Sequence, residues 1–268
     1  MVGSSVGGVF DYDAEMRFLQ GRFRGAWGVR DGDRVLDVGC GGGQTSREAA
    51  ADAGRGHVLG VDVSERMLEH ARRQTAEEHV SYLLADAATY DFGEASFDVC
   101  ISRFGVMFFD DPVGAFGNLR RALRPGGRLV AMVWQPRAEN EWAQVIPATI
   151  TQATDDGGGT SPDRSAGGSV WDESPFSLGD PEVVRGILTS AGFGEVAFGE
   201  VRERLYYGPD VEAAYENVLQ LREPLALLAE LTPSDAERAR TDLRAMLAAH
   251  GSGDGVLFDS AAWIVTAK

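Results

Sequence analysis

An α/β fold, with a parallel sheet covered by helices, is predicted from three features of this 268-residue sequence. Short β-branched runs alternate with helical stretches from residue 34 to 134, the pattern that builds βαβ units. A glycine turn, Gly39-Cys40-Gly41-Gly42-Gly43, joins the first run to the first helical stretch. The next two runs lead into aspartates, Asp62 and Asp86. Right-handed crossovers bring the ends of such strands, with their loops, to one edge of the sheet.

The elements follow in order. Phe18, Leu19, Phe23 and Trp27 fall near helical spacing and predict a leading amphipathic helix, broken at Gly28. Buried strands are expected at 34–38, 57–61, 80–84, 97–101 and 128–133, and helices at 44–53, 64–77 and 111–123. Ser64 is the expected N-cap of the second of these helices. Beyond Trp134 the pattern changes. Residues 138–153 read as helix, and 155–174, rich in Gly, Ser and Asp, as a flexible loop. A helix at 181–191 is closed by Gly192, and a strand follows at 195–206. A long helical region, 210–249, is interrupted near Pro224 and Pro233, and a last strand spans 262–266.

Composition narrows the function. Forty-one acidic against 25 basic residues leave a formal charge of −16, the wrong sign for a nucleic-acid or anionic-membrane surface. Two cysteines, Cys40 and Cys100, make neither a disulfide framework nor a four-ligand zinc site. The four histidines lack metal-binding spacing, so no metal is expected. No apolar run approaches the ~20 residues of a membrane helix. Met1–Val9 has no basic start and no long apolar stretch, so no secretory signal is expected and the expected compartment is the cytoplasm.

The strand ends carry the chemistry. Glycines admit positive φ and close approach of a ligand, and the helix after the turn offers free N–H groups. A dinucleotide fingerprint needs a third glycine where Gln44 stands, which speaks against a nicotinamide oxidoreductase. Asp62, at the end of the second strand, is placed to accept from both ribose hydroxyls. Asp86, at the end of the third, can accept from the exocyclic amine of adenine. A glycine turn, a ribose acceptor and a base acceptor together suit a nucleoside, with no pyrophosphate required.

The stretches Asp37-Val38-Gly39-Cys40-Gly41-Gly42-Gly43, Gly60-Val61-Asp62-Val63-Ser64-Glu65-Arg66-Met67-Leu68, Ala85-Asp86-Ala87, the run 96–109 and Leu123-Arg124-Pro125-Gly126-Gly127-Arg128-Leu129 resemble class I S-adenosylmethionine-dependent methyltransferases. The likeness is greatest to the small-molecule branch related to ubiquinone and menaquinone biosynthesis. It covers 34–134 and continues more weakly through 174–181, 191–193 and 262–267. It departs at the N-terminus, where Val9-Phe10-Asp11-Tyr12-Asp13 replaces the family's tryptophan-bearing segment.

The resemblance implies a Rossmann-like, seven-stranded, mostly parallel sheet with an antiparallel last strand, and S-adenosyl-L-methionine as cofactor. It implies that Gly39, Gly41 and Gly43 border the methionine moiety, with Asp37 steadying the turn. It further implies that Asp62 and Val63 hold the ribose end, that Met67, Asp86 and Ala87 attend the adenine, and that Ser102 and Arg103 sit beside the sulfonium and substrate. Asp37 has a second reading as a cap of the turn alone, Asp86 as a turn residue, and Arg103 as a structural partner of Asp110 or Asp111. Met107, Phe108 and Phe109 are expected in the core or lining the cleft. Phe104, Trp134, Trp142 and Trp171 are the expected substrate contacts, though the tryptophans serve equally well to bury a helical cap. Tyr12 joins Arg103 as a positioning residue, with Asp13 and Tyr206 as further candidates.

The expected division is an N-terminal helical segment (1–33), a cofactor-binding core (34–137), a cap or lid insertion (138–177), a core continuation (178–208), a helical cap over the open edge (209–255) and a last core strand (256–268). The expected function is methyl transfer, on oxygen first, to a small, partly apolar metabolite, possessing a phenol or enol of low pKa and belonging to secondary metabolism. The rivals are a cofactor binder or cyclase that keeps the sulfonium as an electrostatic element, and the dinucleotide oxidoreductase.

Overall fold

The computed structural model describes residues 11–152 and 174–268, and these fall into two compact units. The lid expected at 155–174, with Trp171, lies outside the described residues apart from Ser174. The first unit comprises residues 20–136, 174–201 and 261–268, and the second residues 11–19, 137–152 and 202–260.

The first unit holds the parallel sheet. Its strands are β1 (Arg34–Val38), β2 (His57–Asp62), β3 (Val80–Leu84), β4 (Phe97–Arg103) and β5 (Leu123–Trp134), with β6 (Val196–Gly208) and β8 (Gly255–Ala267) running on into the second unit. The strand order is β3-β2-β1-β4-β5-β8-β6, and the two-residue β7 (Gly251–Ser252) pairs with β8. β1 pairs in parallel with β2 and β4, β2 with β3, and β4 with β5, whereas β8 meets β5 antiparallel over Leu129–Trp134. This is the mostly parallel sheet with an antiparallel last strand that the sequence leads one to expect. The reversal of order at β1/β4 is the switch point beside which open α/β sheets bind ligands.

The helices of this unit are α2 (Arg17–Trp27, from Gln20 onward), α3 (Gln44–Ala53), α4 (Glu65–Gln74), α5 (Pro112–Ala122) and α7 (Pro181–Ser190). α3 lies against β1 and β2, α4 against β2 and β3, and α5 against β5 and α7. Ser64 caps α4, its Oγ accepting from Met67 N at 3.4 Å. α4 stops at Gln74, short of the expected 77, because Thr75 takes extended backbone. β5 begins five residues before the expected start. Phe97 pairs with Leu123 and Val99 with Arg128, so Arg124–Gly127 bulge out of the ladder, as a proline and two glycines in a strand require. α2 belongs mainly to this unit. Phe23 and Trp27 are buried, and Asp52 of α3 accepts from Arg24 Nε at 3.1 Å, Arg24 Nη2 at 2.5 Å and Trp27 Nε1 at 3.1 Å.

The second unit is helical: α1 (Tyr12–Glu15), α6 (Glu141–Gln152), α8 (Val211–Val218), α9 (Arg222–Ala229) and α10 (Pro233–Ala249). α10 packs on α6 and α8, and α6 on α9, through buried Ala239, Leu243 and Leu247 of α10 and Ile146 and Ile150 of α6. The helical region breaks at 219–221 and 230–232, near Pro224 and Pro233 as expected, and Pro224 itself lies in the first turn of α9, where a helix tolerates proline. Pro147 sits inside α6 and cannot donate to Ala143 O. Arg137 Nη1 takes that carbonyl at 2.7 Å and pairs with Glu223 at 3.3 Å. Among the described residues no helix is long and apolar enough to cross a membrane, and no group of acidic, Cys or His side chains could hold a metal.

Candidate active site

The glycine turn after β1 is held from three sides. Gly39 N and Cys40 N donate to Val61 O at 2.8 and 3.1 Å, and Gly43 N closes the turn on Cys40 O at 2.9 Å. Gly39 has φ 70°, and a side chain there would place its Cβ 2.7 Å from Gly105 Cα. The loop after β1 therefore touches the loop after β4 backbone to backbone, which only glycine permits. Gly41 and Gly43 also take positive φ. Asp37 is buried, and its Oδ2 accepts from Ser46 Oγ at 2.6 Å, clamping β1 to α3.

Asp62, at the end of β2, accepts from Gly41 N and Ser64 N, each at 2.9 Å and each through a different carboxylate oxygen. The carboxylate is aimed by the turn it faces. Val63 beside it is 73% exposed, and Leu84 at the end of β3 is 47% exposed. Met67 lies against the turn, its Cε 3.5 Å from where a Gly41 methyl would stand. Ala85 N donates to Asp62 O at 3.1 Å, which brings the ends of β2 and β3 together.

Asp86 is exposed and forms a turn, its Oδ1 accepting from Ala88 N at 2.8 Å. Ala87 is buried, and its carbonyl accepts from Asn118 Nδ2 at 3.0 Å. That amide also donates to Tyr90 O at 2.8 Å, so one α5 side chain sets the whole 87–90 loop.

At the end of β4, Ser102 is fully buried. Its Oγ donates to Val38 O at 2.8 Å and accepts from Gly105 N at 3.2 Å. Its hydroxyl thus joins the loops after β1 and β4 instead of facing a ligand. Arg103 closes β4 directly after Ser102. Its Nη1 donates to Gln20 Oε1 at 2.7 Å and to Gln44 Oε1 at 2.9 Å, while Asp111 caps α5. Phe104 follows at φ 60°, stacked on Trp134 with centroids 3.9 Å apart. Trp134 is buried, so it supports Phe104 from the core. Met107 is buried and accepts from Trp134 N, whereas Phe108 is 57% exposed, which leaves only the cleft of its two expected places.

Tyr12 and Trp142 belong to the helical unit, as do Asp13 and Tyr206. There Tyr207 is fully buried and its hydroxyl is pushed well up by burial, with Glu15 adding to the rise. Tyr206 carries the Arg17 guanidinium 3.5 Å above its ring. Burial, with Asp37 and Asp62 nearby, raises the Cys40 thiol, and burial raises Cys100. Neither is a nucleophile at neutral pH. Sequence reading missed Gln20, Glu48 and Asn118. Gln20 and Asn118 are buried polar residues on their helices and Glu48 is half-buried on α3, and only that placement marks them.

The family described as a methyltransferase domain matches residues 36–131. Aklanonic acid methyltransferase DauC of Streptomyces sp. (strain C5) is 38% identical over 102 residues, 37% of this chain and 46% of that protein. Demethylmenaquinone methyltransferase of Thermus thermophilus is 30% identical over 162 residues, 60% of this chain and 74% of that protein. The fold matches the YcgJ protein of Bacillus subtilis with a TM-score of 0.58 at 16% identity, over 92% of this chain and 96% of that one. The chain belongs to the S-adenosylmethionine-dependent methyltransferase family. It spans less than half the length of the first of these relatives.

Proposed function

We propose that the protein transfers the methyl group of S-adenosylmethionine to oxygen on a small, partly apolar metabolite. The observation that carries this reading is Asp62. One backbone N–H on each carboxylate oxygen fixes the group and leaves further lone pairs for two vicinal hydroxyls. The neighbouring surface fits the rest of a nucleoside. Val63 and Leu84 are apolar and exposed at adjoining strand ends, with Asp86 just past the end of β3. Gly39, Gly41, Gly43, Asp62, Val63, Met67, Asp86 and Ala87 would hold the cofactor, with Asp37 and Ser102 shaping the turn from behind.

When bound, the sulfonium supplies an electrophilic methyl carbon and a neutral thioether leaving group. The chain's own part is then to align the acceptor and exclude water. An acceptor of low pKa, a phenol or enol, needs little base assistance. This suits a site whose cysteines are buried and raised. Phe104, stacked on Trp134, offers an aromatic face.

Incubation with S-adenosylmethionine and a panel of small phenols and enols, read by mass spectrometry, tests the reading. The expected product gains one methyl group on oxygen. Cofactor binding without transfer to any acceptor would favour the binder or cyclase, and NAD binding without a response to either sulfur nucleoside would overturn the site assignment.

A further inference from the structure

The end of the sheet opposite the glycine turn carries a groove of about 320 Å³, lined by Glu94, Ala95, Arg120, Arg121, Leu123 and Pro125. Ala95 lies just before β4 and Leu123 opens β5. The length of β4, seven residues or roughly 20 Å at ~3.3 Å each, therefore separates the groove from Ser102 and Arg103. Backbone hydrogen bonds fix its wall. Ala95 N donates to Arg121 O at 3.0 Å, and Ser96 N donates to Ala122 O at 2.8 Å. These bonds hold Ala95 at φ 51°, a left-handed value that a side chain with a Cβ seldom takes.

Two adjacent arginines line this groove. Arg121 Nη2 donates to Asn118 Oδ1 at 2.7 Å, a neutral acceptor that orients the guanidinium. Arg120 runs beside Gly192, and its Cζ stands 5.8 Å from the centroid of the Phe193 ring. Its Nε is buried and meets no hydrogen-bond acceptor among the described residues. Among those residues neither guanidinium pairs with a carboxylate, Glu94 included. A buried donor left without a partner is costly, and an anion is the partner that both arginines lack. The fork of an arginine matches a planar carboxylate. Leu123, Pro125 and Ala95 offer an apolar floor. Glu94 shares the groove, so a singly charged group meets less repulsion there than a doubly charged phosphate. We infer that this groove binds a small monocarboxylate with an apolar body, its carboxylate on Arg120 and Arg121 and its body on Ala95, Leu123 and Pro125. The site is separate from the strand ends that hold the cofactor and does not depend on the proposed methyl transfer.

Titration of the full chain with hexanoate, hexanamide and inorganic phosphate, followed by nuclear magnetic resonance, tests the assignment. Hexanoate should bind at least about tenfold more tightly than hexanamide, the size of one charge-assisted hydrogen bond. It should move the methyl resonances of Ala95 and Leu123. Arg120→Gln and Arg121→Gln should each weaken hexanoate by about tenfold, and Glu94→Gln should tighten it. Arg55→Gln, at an exposed arginine paired with Asp31, should leave hexanoate binding unchanged and controls for the loss of one positive charge. If Arg120→Gln does not fold, Arg120→Lys carries the same comparison, because it keeps the charge and loses the fork. Saturating S-adenosylhomocysteine should not displace hexanoate. Both arginines also stand in the last turn of α5, where cations complement the helix dipole. If that were their whole role, the substitutions would lower stability and hexanoate would not bind. Absence of binding, equal binding of hexanamide, tighter binding of phosphate, equal weakening in Arg55→Gln, or displacement by S-adenosylhomocysteine would each overturn the assignment.

Discussion

Asp62 shows how a single residue carries two duties. Sequence reading treats it as a ligand acceptor, so its truncation should spare the fold. The structure also makes it the anchor of Gly41 N and Ser64 N. Asp62→Ala should therefore lower affinity for S-adenosylhomocysteine at least about tenfold and also cost about 1–3 kcal/mol of stability, because two backbone donors lose their partner. Calorimetry and denaturant unfolding would report both, and an unchanged affinity would exclude Asp62 as the ribose acceptor. Gly39→Ala should act through the backbone. Its Cβ meets Gly105 Cα at 2.7 Å, and φ is 70°, so overpacking and strain together should cost roughly 2 kcal/mol or more. A melting temperature equal to the native one would show that the two loops can part.

Elements are joined here by polar side chains as much as by apolar packing. Arg137 replaces the hydrogen bond that Pro147 denies to Ala143 O and pairs with Glu223, both side chains lying mostly out of solvent. Arg137→Ala leaves a carbonyl and a carboxylate without this donor, and a loss of about 3 kcal/mol is expected from unfolding measurements. Restoring an ordinary residue at position 147 in that background should recover part of it, because the helix then supplies the missing donor. Between α2 and α3, the hydrogen bond from Arg24 holds the Asp52 carboxyl below its ordinary value, with Trp27 adding to the effect. The sign follows directly. A depressed folded value stabilises above the unfolded value, about 3.9, and the gain is lost as pH falls through the folded one. Asp52→Asn should cost about 1 kcal/mol at pH 7, discounted for the exposure of Arg24. The gap should shrink below about pH 4 in a pH series of melts.

For the whole molecule, the net charge of −16 and the ligand edge of the sheet make separate statements. The charge opposes association with polyanions. The edge predicts that S-adenosylhomocysteine at one hundred times its dissociation constant stabilises the protein by about 2.7 kcal/mol, whereas NAD does not. A thermal shift with NAD and none with S-adenosylhomocysteine would contradict the reading.

What the amino-acid order settles by itself is local and periodic. The alternation of β-branched runs and helical stretches, the glycine turn, the cap at Ser64 and the aspartates at the ends of β2 and β3 are legible because each depends on neighbours a few residues away. Tertiary structure decides the rest. The proline-glycine bulge of β5 exists only because β4 holds both sides of it in register. Asp86 reads as a ligand contact in sequence, yet in space it is first a turn residue. Ser102 turns from a ligand residue into a bridge between two loops, since Val38 O lies 2.8 Å away. The arginine at 103 has two hydrogen bonds that sequence spacing does not suggest, to Gln20 and Gln44, one from a helix 83 residues earlier. Long polar side chains find their partners through the packing of α2 and α3 against the sheet, and no periodicity records that choice.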